Sequence, residues 1–142
     1  MGTAEAHDKL GALGDVVRAL DAIGAPHALI GGVAVGIRSG VARATMDTDI
    51  AVRSTVTRAA AIRALPEVGL LLRGEFAHSV NLRHTSGEPV QLVFDQSFDA
   101  MVDRAEPISV GAMQVRVVTT ADLIAMKERA AADPARRRSK AL

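Results

Sequence analysis

From Gly31 to Val52 the chain reads GGVAVGIRSGVARATMDTDIAV, and two acidic residues interrupt the apolar pattern at its end. Met46, Thr48, Ile50 and Val52 alternate with Asp47, Asp49 and Ala51, the period of a β-strand with two distinct faces. Residues i and i+2 of a strand point the same way, so Asp47 and Asp49 share a face with Cα atoms about 7 Å apart. An acidic side chain in an apolar segment carries a desolvation cost unless something pairs with it. The fold must therefore bring a cation to this strand or leave it on a solvated edge. Upstream, His27 to Ile30 is a short apolar run that predicts a buried strand, ending on the pair Gly31-Gly32. Val33 to Ser39 predicts a helix entered directly from those glycines and capped by Gly40.

This order of parts points to nucleotide chemistry at a metal. Mg²⁺ takes one or two carboxylates and completes its octahedron with water and substrate phosphate oxygens. Glycines at a strand-to-helix junction let a triphosphate approach the backbone, where the helix N-terminal N–H groups can bond it. Arg43 and Thr45, just ahead of the aspartates, are candidate phosphate or ribose contacts. Each signal alone is common: Gly-Gly marks many turns, Asp-x-Asp occurs on solvated edge strands, and Arg43 alone reads as a surface charge. The combination at this spacing carries the reading.

The rest of the chain predicts an α+β fold, a mixed or antiparallel sheet with helices packed on it, in one domain over residues 1–142. Leu10, Leu13, Val16, Val17, Leu20 and Ile23 lie on one face of a helix from His7 to Ile23, stopped by Gly24 and Pro26. A second amphipathic helix spans Thr55 to Leu65 and stops at Pro66. Extended runs follow at Leu70–Leu72, Val80–Arg83 and Val90–Asp95, with a turn at Ser86-Gly87-Glu88-Pro89 between the last two. Ile108–Val110 and Met113–Val118 predict a hairpin around Gly111, and Thr119 or Thr120 caps a final helix that carries Lys127.

Composition narrows the function classes. Aromatic residues make up 2% of the chain, so the core is aliphatic and a base-stacking platform for single strands is nearly excluded. A net charge of +1 provides no global attraction to nucleic acid. The chain has no cysteine, which excludes disulfides and thiolate metal sites. No apolar run approaches the ~20 residues of a membrane helix. The expectation is a cytoplasmic protein with no membrane partner. His7, His27, His78 and His84 lack metal-ligand spacing, and Ser79 and Ser86 show no base partner that would mark a nucleophile. The basic run Arg136 to Lys140 reads as a solvated helix end ahead of an RNA-contacting patch, and the chain stops there as if its C-terminus were cut short.

On Gly31-Gly32, on Arg43-Ala44-Thr45-Met46-Asp47-Thr48-Asp49 and on the late segment Thr119 to Lys127, the chain resembles the nucleotidyltransferase superfamily. The likeness is to its small AbiEii-like or antibiotic-nucleotidyltransferase-like branch. The resemblance spans most of the chain. It implies Asp47 and Asp49 as catalytic and metal-binding residues, with Gly31, Gly32, Arg43, Thr45 and Lys127 around the nucleotide. It also implies Mg²⁺ as cofactor, an NTP as substrate and transfer of a nucleoside monophosphate to a hydroxyl acceptor, RNA (a tRNA end) being one candidate. A toxin role with a cognate antitoxin as partner is implied in the same way. For Lys127, a surface lysine snorkelling over apolar neighbours is the competing reading.

One position departs from the family pattern. The resemblance implies a third carboxylate on a neighbouring strand, and the matching segment Val90-Gln91-Leu92 holds Gln91 there. Glutamine cannot take a proton from a hydroxyl, and its neutral carbonyl is a poor Mg²⁺ ligand. Asp95 lies about 13 Å further along an ideal strand, and Glu88 faces the other way on ideal alternation. Two readings follow: an enzyme working with two aspartates, or a catalytically degenerate module that keeps nucleotide or partner binding. A structural subunit with both aspartates on a solvated edge is the third.

Overall fold

The computed structural model describes residues 2–41 and 47–132, with side chains from Lys9 onward. Helix α1 (Gly2–Ala22) buries Leu13, Val16, Val17 and Leu20 of the predicted stripe, with Ala12 beside them, while the stripe's two ends, Leu10 and Ile23, are exposed and Ile23 lies beyond the helix. Strand β1 (His27–Ile30) is buried along its whole length and runs straight into α2 (Gly31–Ser39). The two glycines are thus the first turn of α2 rather than a loop before it. Gly40 closes that helix in the left-handed region at φ 75°, its N–H bonding Gly36 O at 2.9 Å.

Strand β2 (Thr48–Val52) begins one residue after Asp47, so the first aspartate stands at the strand's mouth. Helix α3 (Arg58–Ala64) starts later than the amphipathic pattern predicts, at Arg58 rather than Thr55. Strands β3 (Leu70–Glu75), β4 (Ser79–His84) and β5 (Pro89–Val93) form a meander. A 3₁₀ turn at Gln96–Phe98 leads into the short helix α4 (Asp99–Arg104), which buries Met101 and Val102. The sequence pattern gave no helix there. The hairpin β6 (Glu106–Val110) and β7 (Met113–Val117) precedes α5 (Thr120–Ala132), where Thr119 Oγ1 accepts the Asp122 N–H at 3.1 Å as the N-cap.

Among the described residues seven strands join one sheet in the order β3-β4-β5-β2-β1-β7-β6. β2 lies antiparallel to β1 and parallel to β5, and β1 lies parallel to β7. The sheet is therefore mixed, as the order of elements predicts. β2 occupies its centre, which overturns the reading of the two aspartates as residues of a solvated edge strand. One face of β2 carries Thr48, Ile50 and Val52, all at most 1% exposed. The largest fully buried side chains are leucines, isoleucines and valines, among them Leu13, Leu20, Leu29, Ile50 and Leu92. Each such burial stabilises by about 1.5–3 kcal/mol before entropy is set against it.

Helix α1 covers the face of β4 that carries Val80, Leu82 and His84, since His84 Nε2 meets Asp15 Oδ2 of α1 at 2.6 Å. Lys9 and Glu88 pair at the same end of the sheet. The opposite face of β4 and β5 carries Asn81, Arg83 and Gln91, and Asn81 and Arg83 are exposed. Arg38 holds α2 against the end of β7 through Val118 O and Val117 O, both at 3.1 Å, and Glu106 at 2.8 Å. Among the described residues no helix is long and apolar enough to cross a membrane.

Candidate functional site

The C-terminal end of β1, the first turn of α2 and the mouth of β2 meet at Asp49. On one side Asp49 is the register partner of Ile30; on the other it is the partner of Gln91. Gly31 sits directly against its carboxylate. A Cβ added at Gly31 would lie 2.7 Å from Asp49 Oδ2 and 3.3 Å from Asp49 Cβ, and the residue has φ +73°. Both facts require glycine at this position. Gly32 and Val33 are half-exposed, and Ile30 makes no side-chain cap bond to the start of α2, whose first N–H groups have no partner within the helix.

The electrostatics of Asp49 follow from this crowding. Burial pushes its carboxyl up to about 6, the Asp47 carboxylate adds to the rise, and the nearby Lys9 ammonium offsets part of it. Asp47 itself is exposed. A half-buried acid next to a second acid gains from a divalent cation, and two carboxylates match the one or two that Mg²⁺ takes when substrate phosphate and water fill its other positions. The donor set therefore fits such an ion. Among the described residues no group of three or more His, Asp or Glu side chains forms a ligand cluster.

Gln91 stands beside Asp49 in the parallel register of β2 and β5, the neighbouring-strand position that the family resemblance implies. Its Nε2 reaches Ser79 Oγ at 3.5 Å. Neither alternative carboxylate takes its place. Glu88 is committed to Lys9. Asp95 lies beyond the end of β5 and caps the following 3₁₀ turn, accepting the Ser97 N–H at 3.0 Å; that bond lowers its pKa.

The other candidates divide. Arg43 and Thr45 lie outside the described residues, as does the basic run from Arg136 to Lys140. Lys127 is exposed on α5 and lines a groove of about 250 Å³ between α2 and α5 with Val35, Arg38 and Ser39. That groove is separate from the cavity of about 420 Å³ that opens beside Asp47. The second cavity is lined by Arg73, Asn81, Arg83 and Gln91. Sequence reasoning missed Arg73, Asn81 and Arg83. The alternation of Val80 and Leu82 with Asn81 and Arg83 carried the signal for the last two.

Ser86 departs from the sequence expectation. Its hydroxyl has a base neighbour after all: Ser86 Oγ lies 2.8 Å from His84 Nδ1, whose ring meets Asp15 on the other side. The Ser86 backbone N–H bonds the same Nδ1 at 3.2 Å, so the histidine closes the exposed β4–β5 turn and ties it to α1. None of these three residues lines the cavity beside Asp47.

No family model matches the sequence, and no curated protein matches it at a significant level. Two solved structures are similar in fold. The lincosamide antibiotic adenylyltransferase LnuA, lincomycin-bound, superposes with a TM-score of 0.63 at 14% identity, over 80% of this chain and 82% of that one. ANT(2")-Ia in complex with adenylyl-2"-tobramycin superposes with a TM-score of 0.62 at 17% identity, over 86% of this chain and 76% of that one. The chain has the nucleotidyltransferase fold of these two proteins.

Proposed function

We propose that this protein is a Mg²⁺-dependent nucleotidyltransferase that moves a nucleoside monophosphate from an NTP to a hydroxyl acceptor. The observation that carries the reading is the apposition of Gly31 and the Asp49 carboxylate, with Asp47 two residues away. An uncapped helix start beside a pair of acids supports the reading, because a metal-bound triphosphate would use both. The fold shared with two proteins whose names describe adenylyl transfer or an adenylylated antibiotic supports it.

Asp47 and Asp49 would hold the ion. Bound there, Mg²⁺ would polarise the phosphate under attack and screen the charge of the leaving pyrophosphate. Gly31 and Gly32 keep side-chain bulk away, so the backbone N–H groups of α2 can reach phosphate oxygens. Arg43, Thr45 and Lys127 are assigned to the nucleotide on the family resemblance. The acceptor oxygen forms the new bond to the α-phosphorus as the α–β bridging bond breaks. Gln91 cannot take the acceptor's proton, which leaves to solvent or to a substrate phosphate oxygen. The same resemblance is the ground for the AbiEii-like branch, a tRNA acceptor and a toxin role opposite a cognate antitoxin; a cytoplasmic setting and one domain over residues 1–142 rest on composition and length.

Gln91 favours a second reading, a module of the same fold that binds nucleotide without transferring it. Calorimetry with each NTP and Mg²⁺ addresses the shared premise. Wild type is expected to bind at least one NTP only when the metal is present, with at least a tenfold loss in Asp47→Asn and Asp49→Asn. Absence of metal-dependent binding with all NTPs would sink both readings. Labelled NTP incubated with cell extract then separates them: label on an acceptor supports the enzyme. Binding without label, followed by a gain of transfer in Gln91→Asp, supports the degenerate module.

A further inference from the structure

We infer that the second substrate is a hydroxyl compound bearing an oxyanion group, phosphate or carboxylate, held by Arg73 and Arg83 in the cavity beside Asp47; this rests on the nucleotidyl-transfer reading above.

The sheet order divides the site. Gly31 and α2 lie on the β1 side of Asp49, while β5, β4 and β3 lie on the other. A triphosphate at the start of α2 leaves the β5 side for the second substrate. The cavity of about 420 Å³ opens there, along Asp47, Gln91, Asn81, Arg73 and Arg83. Its volume falls within the roughly 300–1,000 Å³ typical of small-molecule pockets and suits a ligand of sugar-phosphate size.

Two arginines converge on this one cavity, whereas four others on the surface are each taken up by an acidic partner. Arg38, Arg53, Arg58 and Arg104 each face a carboxylate, respectively Glu106, Asp103, Glu75 and Asp122. Among the described residues neither Arg73 nor Arg83 is in an ion pair, and the only carboxylate lining their cavity is that of Asp47. A divalent cation on Asp47 would remove that negative charge and leave the two guanidinium groups dominant. Arg73 sits where the register of β3 and β4 slips between Leu72 and Gly74, and an irregularity of this kind re-aims a side chain. Arg83 is braced by its Nη1, which donates to Gly87 O at 2.9 Å, leaving its other donors for a ligand. Guanidinium forks match phosphate and carboxylate oxygens in pairs. Gln91 and Asn81 offer neutral amides for hydroxyl groups. Such a cavity disfavours a polycation such as tobramycin, the compound adenylylated in one of the similar structures.

The test titrates wild type, Arg73→Gln, Arg83→Gln and Arg73→Lys with ribose, ribose 5-phosphate, glucuronate and tobramycin. Each titration is run with and without Mg²⁺ and the α,β-methylene analogue of each NTP in turn, so a failure to bind all of them counts against the transferase reading alone. Ribose 5-phosphate or glucuronate is expected to bind at least tenfold more tightly than ribose. That preference should collapse in Arg73→Gln and return in part in Arg73→Lys. The stronger of the two anions identifies the group. The inference is overturned if neutral ribose binds as well as both anions, if tobramycin binds more tightly, if no anion binds, or if the preference survives in both glutamine variants.

Discussion

The two flanks of β2 are built on opposite principles. On the β1 flank everything is close and apolar except the carboxylate: Ile30 is buried, and Gly31 leaves no room for even a methyl group beside Asp49. On the β5 flank the neighbours are polar and open: Gln91 beside Asp49, then Asn81, with the arginines at the cavity rim. On the proposed function the tight flank would fix where a ligand's phosphates lie, because only the backbone of α2 is offered there. The open flank constrains chemistry and charge rather than position. The tight flank should therefore tolerate almost no substitution. The open flank should tolerate many and change its choice of partner.

The largest expected effect tests the tight flank. Gly31→Ala must adopt φ near +73° and place a Cβ 2.7 Å from Asp49 Oδ2. The backbone penalty and the displaced carboxylate should lower stability by about 1–3 kcal/mol. Metal-dependent nucleotide binding should fall at least tenfold. Thermal denaturation and calorimetry check the two separately. If the variant folds and binds as wild type does, the contact between glycine and carboxylate does not organise the site.

Next comes Asp49 itself, through pH. Its carboxyl in the folded chain is pushed up to about 6 against an ordinary 3.8, chiefly by burial. The folded state therefore holds a proton that the unfolded state has already released between those values. Stability without metal must fall as pH rises through that window. Asp49→Asn carries no such cost. Allowing for the solvent that reaches the carboxylate, it should exceed wild type by about 1–2 kcal/mol at pH 7 in metal-free buffer. The gap should close as the pH falls towards 3.8. Denaturant melts at a series of pH values measure it. Added Mg²⁺ should narrow the gap at pH 7 by stabilising wild type alone.

How much of this was legible follows the same division. The tight flank was written in local signals: a glycine pair after an apolar run, then alternation that sets Asp47 and Asp49 on one face. The place of Gln91 beside Asp49 was also readable, though only through the family resemblance. What could not be read was long-range. That β2 is central depends on its pairing with β5, some forty positions later in the chain. The cavity arginines come together only through the pairing of β3 with β4. Helix α4 is too short for a periodic pattern to show, and its apolar content is three consecutive residues, Ala100, Met101 and Val102. His84 and Ser86 looked unconnected to Asp15 because α1 and the β4–β5 turn are far apart in sequence.

The smallest effect tests the assignment of faces on which the whole comparison stands. Thr48 lies between the two aspartates but points the other way, fully buried among the core residues. Among the described residues its Oγ1 is a buried side-chain polar atom without a hydrogen-bond partner. Such a group costs its desolvation with nothing returned, and an apolar group of the same shape removes the cost. Thr48→Val should therefore raise stability by up to about 1 kcal/mol. It should leave metal-dependent nucleotide binding within twofold of wild type, because the methyl replaces a hydroxyl on the core side. A stabilised variant with intact binding fixes the alternation of Asp47, Thr48 and Asp49. A variant that loses binding would mean that the Thr48 hydroxyl reaches the site, and the separation of β2 into a core face and a ligand face would fail with it.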